Sequence, residues 1–193
     1  GAEALGAYTL AFMLVDALRN KLIGIMDKVL YPAYARLQDD LERLKRYYLL
    51  SIRYSSLLVF PAMTTLICYA EPFVHHVVGA KWVAAITPIR ILAVSAMIYC
   101  VGGTSGSVLR SIGRPDLHFR VFVTKTILIT IPALFFGIHF WGVVGAAAAV
   151  AFHLAAARLI FQYYLRRFIG VTEGEILRAI APALVGGVVI TTV

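Results

Sequence analysis

Residues 15–28, VDALRNKLIGIMDK, place charged side chains within an otherwise apolar segment. The charged residues are Asp16, Arg19, Lys21, Asp27 and Lys28, with the polar Asn20 among them. Asp16 and Arg19 have the i, i+3 spacing at which two side chains of a helix form an ion pair. Cations outnumber carboxylates in this segment, so the pattern indicates one of two things. It is either a structural set of ion pairs or a polar surface that receives an anion.

The composition places these charges in a membrane protein. Hydrophobic residues make up 61% of the 193 residues and charged residues 15%, whereas soluble domains average about 25% charged. The mean hydropathy is +0.84. Several apolar runs reach the ~20 residues that a helix needs to cross a hydrocarbon core, and they lack the alternation of barrel strands. The sequence therefore predicts an all-α, polytopic membrane helix bundle surrounded by the lipid bilayer.

The chain contains apolar helical segments that are predicted to span the membrane. They cover residues 7–34, 47–70, 83–109, 119–139, 142–165 and 176–193, the last of them incomplete. The chain begins with Gly, shows no signal-peptide pattern and ends within an apolar run. We therefore expect it to be an internal piece of a longer protein.

Basic residues alternate between the two sides of these segments. Ten Lys and Arg residues lie at or beside the connections 35–46, 110–118 and 166–175, whereas Lys81 alone lies on the other side. Because cytoplasmic loops carry the excess of Lys and Arg, these three connections are predicted to be cytoplasmic. The same rule accounts for most of the net charge of +8, so nucleic acid is not a predicted partner.

The charges of the first segment lie at the depth that lipid tolerates least. Arg19, Asn20 and Lys21 fall in the middle of residues 7–34, where each charge costs at least ~2.5 kcal/mol on insertion scales. This segment must therefore face protein or a hydrated cavity. We interpret Arg19, Lys21 and Asn20 as cavity residues that receive an anionic substrate. Asp16, Asp27 and Lys28 are the candidates for ion pairing or coupling, and a purely structural ion-pair set is the alternative.

Basic residues also occur inside other apolar segments. Arg90 is a further cavity candidate; it follows Pro88, which should free a carbonyl group and bend the span. Arg53, Lys125 and Arg158 lie within about two turns of the predicted cytoplasmic ends, where long side chains reach the interface. We interpret these three as interfacial rather than functional.

Patterns of catalysis and metal binding are missing from the sequence. It has no phosphate-binding glycine loop, no nucleophile elbow and no pair of catalytic carboxylates. The adjacent His75 and His76 point in different directions on a regular element, and no carboxylate cluster accompanies them. We therefore predict that the chain is not an enzyme and that it uses no cofactor and no metal.

A set of ordered stretches resembles one family of transporters. They read LGAYTLAFMLV, VLYPAYARLQDDLERLKRYYL, AEPFVHHVVGAKW, VLRSIGRPDLHFR and GVVGAAAAVAF. Their order and spacing resemble the polysaccharide-transporter branch of the multidrug/oligosaccharidyl-lipid/polysaccharide flippase superfamily, in particular its Wzx-type exporters of the colanic-acid and teichuronic-acid subgroup. The resemblance extends over nearly the whole chain.

The resemblance implies a two-lobed helical fold around a central cavity, of which this chain is a partial C-terminal lobe without the N-terminal lobe. It also implies that undecaprenyl-diphosphate-linked sugar repeat units are flipped across the cytoplasmic membrane without direct use of ATP. No family motif identifies Arg19, Lys21 or Arg90 as ligands. The alternatives are a lipid II or multidrug transporter of the same superfamily, a membrane-embedded glycosyltransferase or polymerase fragment, and a structural membrane subunit.

Overall fold

The structure of the chain, a computed structural model, describes residues 2–192. The side chains of residues 2, 24–27, 29, 191 and 192 lie outside the described residues. The helices are α1 (Ala2–Arg36), α2 (Leu41–Phe73), α3 (Ile86–Gly102), α4 (Ser105–Ser111), α5 (Pro115–Lys125), α6 (Ile131–Ile169) and α7 (Glu173–Thr192). Wider π-helical turns at Val74–Val78 and Thr126–Thr130 continue α2 and α5, and a 3-10 helix covers Ala80–Ala85. This part of the chain contains no strand, so the all-α prediction is confirmed.

Three helical stretches of the described chain are long and apolar enough to cross a membrane, namely Leu41–Val78, Ala80–Ser111 and Pro115–Ile169. The most apolar window of the last stretch has a mean hydropathy of 2.1, and only 6% of that window is buried inside the protein. The stretch exposes large apolar side chains along its length, among them Phe135, Phe136, Phe140, Trp141, Phe152 and Leu159. An apolar surface of this extent requires lipid or protein around it. The chain is therefore a helical membrane protein, while its number of crossings remains a prediction.

Gly142 divides α6 into two arms, residues 131–141 and 143–169. Its φ of 56° and ψ of −129° are not helical, and a positive φ of this kind favours glycine. The chain folds back there, because a Cβ atom on Gly137 would lie 2.5 Å from the carbonyl oxygen of Gly145. Eight residues of straight helix would separate these positions by about 12 Å. The two glycines thus allow the arms to meet directly after the turn.

The helix α2 lies at the centre of the packing. It contacts α7 and α3 most extensively, and α3 packs in turn against α6 and α1. Tyr48 and Ile52, one turn apart on α2, are almost fully buried. The buried hydroxyl groups are paired, since the Tyr48 hydroxyl lies 2.9 Å from Ser105 Oγ and Tyr34 Oη donates to Ser51 Oγ at 2.8 Å. These hydrogen bonds remove the cost of burying polar atoms between the helices.

The bend predicted at Pro88 does not form. The helix α3 begins at Ile86, so Pro88 lies in its first turn, where a missing N–H group costs no hydrogen bond. The regular helix is instead interrupted upstream, at the 3-10 helix Ala80–Ala85.

The three connections that are predicted to be cytoplasmic lie at one end of the bundle. Lys45 Nζ donates to the Gly170 carbonyl oxygen at 3.0 Å, which joins the first connection to the third. The guanidinium carbon of Arg114 lies 5.2 Å from the ring centre of Phe168, which joins the second to the third. The side of the membrane that this end faces remains a prediction.

Candidate functional site

The charged segment lies within α1, which runs without interruption from Ala2 to Arg36. One side of α1 is buried at Ala7, Ala11 and Val15, and the helix packs mainly against α3. Other side chains of α1 are exposed, on the flanks of this buried line and opposite to it, and we call their surface the α1 outer face. It carries Thr9, Phe12, Met13, Asn20, Lys21, Lys28 and Tyr31. Polar and cationic side chains therefore share this face with large apolar ones.

The carboxylate of Asp16 accepts hydrogen bonds from two side chains of its own helix. Arg19 Nη2 donates to Asp16 Oδ1, and Asn20 Nδ2 donates to Asp16 Oδ2 at 2.6 Å. The side chains of Arg19 and Asp16 are only 20% and 26% exposed, so the pair is largely shielded. Both carboxylate oxygens therefore accept a hydrogen bond. The negative charge of Asp16 is offset by the positive charge of Arg19.

Arg19 turns away from the α1 outer face, toward α3. Its Cζ lies 4.7 Å from the ring centre of Tyr99, in cation–π contact. Its Nε is buried and has no hydrogen-bond partner among the described residues, a condition that costs free energy. The contact with Tyr99 and the pair with Asp16 give Arg19 a structural role, and its role as an anion ligand stays a prediction.

Lys21 and Lys28 remain on the α1 outer face. Neither has a carboxylate within ion-pair distance among the side chains that the structure describes. The side chain of Asp27, the remaining coupling candidate, lies outside the described residues. Seven helical residues separate the two lysines, so they lie about 10 Å apart along one side of the helix. The α1 outer face therefore presents two cations that Asp16 does not neutralise.

Arg90 lies apart from this group. Its Nη2 is 3.6 Å from Glu71 Oε2, and its Nε donates to the Ile67 carbonyl oxygen at 3.3 Å. Both partners belong to α2, so Arg90 joins α2 to α3. Nine residues of α3, about 14 Å, separate Arg90 from Tyr99, the residue that Arg19 contacts. The structure thus brings Asp16, Arg19 and Asn20 together and places Arg90 elsewhere.

A cavity of about 170 Å³ lies between α3, α4, α5 and the second arm of α6. Its polar lining comes from Tyr99, His118, Lys125 and Arg158. Arg158 Nη2 pairs with Glu173 Oε2 at 2.6 Å, whereas Lys125 has no carboxylate within ion-pair distance in the described part of the chain. The cavity therefore carries one cation without an anionic partner.

Sequence reasoning missed this cavity because its residues come from separate segments. Distance to the span ends, taken alone, predicts an interfacial position for Lys125 and Arg158. The sequence offers one signal, the run of small residues GGTSGS at 102–107. A Cβ atom on Gly106 would lie 2.5 Å from Cδ2 of His118. A glycine at this position lets the imidazole ring lie directly on the backbone.

The chemistry of these groups suits an anion. Arg and Lys side chains donate charge-assisted hydrogen bonds, which are the strong contacts to phosphate and carboxylate oxygens. Among the described residues, no group of three His, Cys, Asp or Glu side chains is able to hold a metal ion.

Comparison with known proteins gives the family. Residues 1–87 match the profile of the family described as "Polysaccharide biosynthesis protein". The chain is 34% identical over 145 residues to the lipopolysaccharide biosynthesis protein WzxC of Escherichia coli K12, covering 75% of this chain and 29% of that protein. It is 32% identical over 119 residues to the teichuronic acid biosynthesis protein TuaB of Bacillus subtilis, covering 62% of this chain and 25% of TuaB. It is 29% identical over 121 residues to the probable low-salt glycan biosynthesis flippase Agl15 of Haloferax volcanii, covering 63% of this chain and 25% of Agl15.

These matches confirm the resemblance found in the sequence motifs: this helical membrane protein is related to the polysaccharide-transporter branch of the flippase superfamily. The chain spans about a third or less of the length of the curated relatives it matches. The region that matches the family profile contains α1, α2 and all of the charged segment. No solved structure gives a significant match to the chain.

Proposed function

We propose that the chain is part of a flippase that moves undecaprenyl-diphosphate-linked oligosaccharide repeat units across the cytoplasmic membrane by alternating access. The observation that carries this proposal is the α1 outer face, where Lys21 and Lys28 are exposed while Asp16 is held by Arg19 and Asn20. A diphosphate that leaves bulk water needs counter-charge along its path. The names of WzxC and TuaB, both polysaccharide biosynthesis proteins, and of the flippase Agl15 support the substrate class.

In this proposal the chain supplies part of the C-terminal lobe. The α1 outer face lines a central cavity whose other wall is the N-terminal lobe of the same protein. Exposure of Lys21 near the middle of α1 supports this arrangement, because lipid around a charge at mid-depth costs at least ~2.5 kcal/mol. The protein crosses the inner membrane several times, with the connections 35–46, 110–118 and 166–175 in the cytoplasm. It acts as a transporter and not as an enzyme.

Removal of charge from the α1 outer face tests the proposal. In the full-length protein that contains this chain, we expect the Lys21→Gln/Lys28→Gln variant to deliver at least about tenfold less lipid-linked repeat unit to the outer leaflet, because charge-assisted hydrogen bonds are worth about 1.5–3 kcal/mol. The measurement is labelling of outer-leaflet sugars at equal amounts of inserted protein. Lys21→Arg/Lys28→Arg keeps the charge and should keep most of the transport.

Lys81→Gln is the matched control. Lys81 lies 5.7 Å from the ring centre of Trp82, near the end of the bundle opposite to the predicted cytoplasmic connections, so its loss removes one charge without touching the α1 outer face. Wild-type delivery by the doubly neutralised variant would contradict the role of this face. Movement of lipid II or of cationic drugs, without movement of repeat units, would favour another transporter of the superfamily. Elongation of the sugar chain would favour a glycosyltransferase or polymerase.

A further inference from the structure

A basic groove lies between the first turns of α2 and the start of α7, away from the α1 outer face. Its volume is about 430 Å³. We call it the α2–α7 groove. Its lining includes the cationic Arg46, Arg53 and Arg178 and the apolar Leu49, Leu50 and Ala179. Arg46 and Arg53 are seven residues apart, so they lie on one side of α2 with the two leucines between them. Arg178 approaches from α7.

The three arginines of the groove outnumber the carboxylates that could compensate their charge. None of them lies within ion-pair distance of a carboxylate in the described part of the chain. Glu175 borders the groove but is already held: its Oε1 is 2.7 Å from Lys45 Nζ, and its Oε2 accepts from the backbone N–H and the hydroxyl of Thr172, both at 2.9 Å. Glu42 is the other acidic residue of the lining, so one free carboxylate faces three guanidinium groups.

We propose that the α2–α7 groove binds the headgroup of an anionic phospholipid from the adjoining leaflet. Guanidinium groups bind phosphate oxygens through directed, charge-assisted hydrogen bonds. The apolar floor suits the glycerol backbone and the first acyl carbons, which a free phosphate ion lacks. The location also fits, because α2 belongs to a stretch apolar enough to cross the membrane and clusters of basic residues beside such helices attract anionic lipid.

A lipid in this groove contacts both helices at once. At this end of the bundle Lys45 joins α2 to the α7 region through Glu175 and the Gly170 carbonyl oxygen. A headgroup held by Arg53 on one side and by Arg178 on the other adds a second connection. Because a ligand that binds only the folded state stabilises it, anionic lipid should raise the thermal unfolding midpoint of the protein.

The experiment uses the full-length protein in a neutral detergent. Phosphatidylglycerol is titrated, with phosphatidylcholine of the same acyl chains and inorganic phosphate as comparison ligands, and bound lipid is measured by native mass spectrometry together with the unfolding midpoint. We expect phosphatidylglycerol alone to bind and to raise the midpoint. Each of Arg53→Gln and Arg178→Gln should weaken its binding about fivefold, the effect of one cation near a lipid surface.

Two further variants separate loss of the site from loss of the fold. Arg167→Gln removes an exposed cation at the same end of the bundle but outside the groove, and it should leave phosphatidylglycerol binding unchanged. Arg53→Lys/Arg178→Lys keeps the charge and should retain most of the affinity. Unchanged lipid binding by Arg53→Gln/Arg178→Gln, or equal binding of phosphatidylcholine or of inorganic phosphate, would overturn the proposal. Since lipid binding is measured without transport, either result leaves the proposed flippase function to its own test.

Discussion

The guanidinium group of Arg19 lies over the ring of Tyr99, with 4.7 Å between Arg19 Cζ and the ring centre. The contact joins α1 to α3 at the level where α1 carries its charges. On its own helix, Asp16 accepts a hydrogen bond from the same guanidinium group. A cation near the middle of a predicted span thus has an anion and an aromatic face as partners, both supplied by the protein itself. This arrangement lowers the cost of placing Arg19 at that depth.

Substitution of Tyr99 measures the aromatic part of this contact. Tyr99→Leu removes the ring face, whereas Tyr99→Phe keeps it. We expect Tyr99→Leu to lower the free energy of unfolding by about 1 kcal/mol more than Tyr99→Phe does, the typical strength of a partly buried cation–π contact. Denaturation of the purified protein in detergent gives both values. Equal losses in the two variants would show that the ring serves only as apolar packing.

The Asp16–Arg19 pair should show strong energetic coupling. Asp16→Asn alone leaves the guanidinium group without its carboxylate, at a cost of roughly 1–3 kcal/mol, and Asp16→Asn/Arg19→Gln should recover much of that loss. The matched control is Arg43–Asp40, which has the same i, i+3 spacing but side chains 73% and 47% exposed. Its coupling should stay below about 1 kcal/mol. A double-mutant cycle measures each pair, and additive effects at Asp16 and Arg19 would contradict the coupling.

The sequence predicts that this chain is a helical membrane protein. The length of an apolar run, the charge of a connection and the position of a residue within a predicted span all depend on residues that are close in the sequence. The same reasoning identifies Arg19 as a residue that lipid does not accept. It does not identify Tyr99 as the partner, because that contact depends on α1 packing against α3, 80 residues further along the chain. Lys125 and Arg158 illustrate the same limit: depth explains each of them alone, and only the packing of α5 on α6 brings them to one cavity.

The turn at Gly142 depends on two glycines that cannot accept a side chain. A Cβ atom on Gly145 would lie 1.8 Å from the Gly137 carbonyl oxygen, so Gly145→Ala must push the two arms of α6 apart. We expect a loss of roughly 1–3 kcal/mol in the free energy of unfolding, as for other overpacked sites. Gly186→Ala is the control, since a Cβ atom there meets nothing within 4 Å and alanine favours the helix. Wild-type stability of Gly145→Ala would contradict the close approach of the arms.

The contact between Lys45 and Glu175 should depend on pH. The hydrogen bond from Lys45, with that from the Thr172 backbone, lowers the pKa of Glu175 to about 2. Since this value lies below the ordinary glutamate pKa of about 4.3, the contact stabilises the fold fully above the ordinary value and is lost as the pH falls toward the lowered one.

Glu175→Gln tests this dependence. The variant should unfold at a lower temperature than the wild type at neutral pH, and the gap should close as the pH falls from above the ordinary pKa toward the lowered one. Thermal unfolding across this range gives the gap. Asp39→Asn, at an exposed carboxylate without an ion-pair partner in the described chain, should show a small gap throughout. A constant gap for Glu175→Gln would show that the charge of Glu175 does not contribute.

The helix α2 is synthesised well before α7, the helix that packs against it. Lys45 and Gly170, which are hydrogen-bonded to each other, are 125 residues apart. A ribosome that adds 5–20 residues per second needs roughly 6–25 s to make the chain between them. Throughout that interval the side of α2 that will receive α7 has no partner from its own chain. The central helix therefore enters the membrane well before its packing is complete, and a ribosome that stalls before α7 leaves that side of α2 open to proteases and to neighbouring chains.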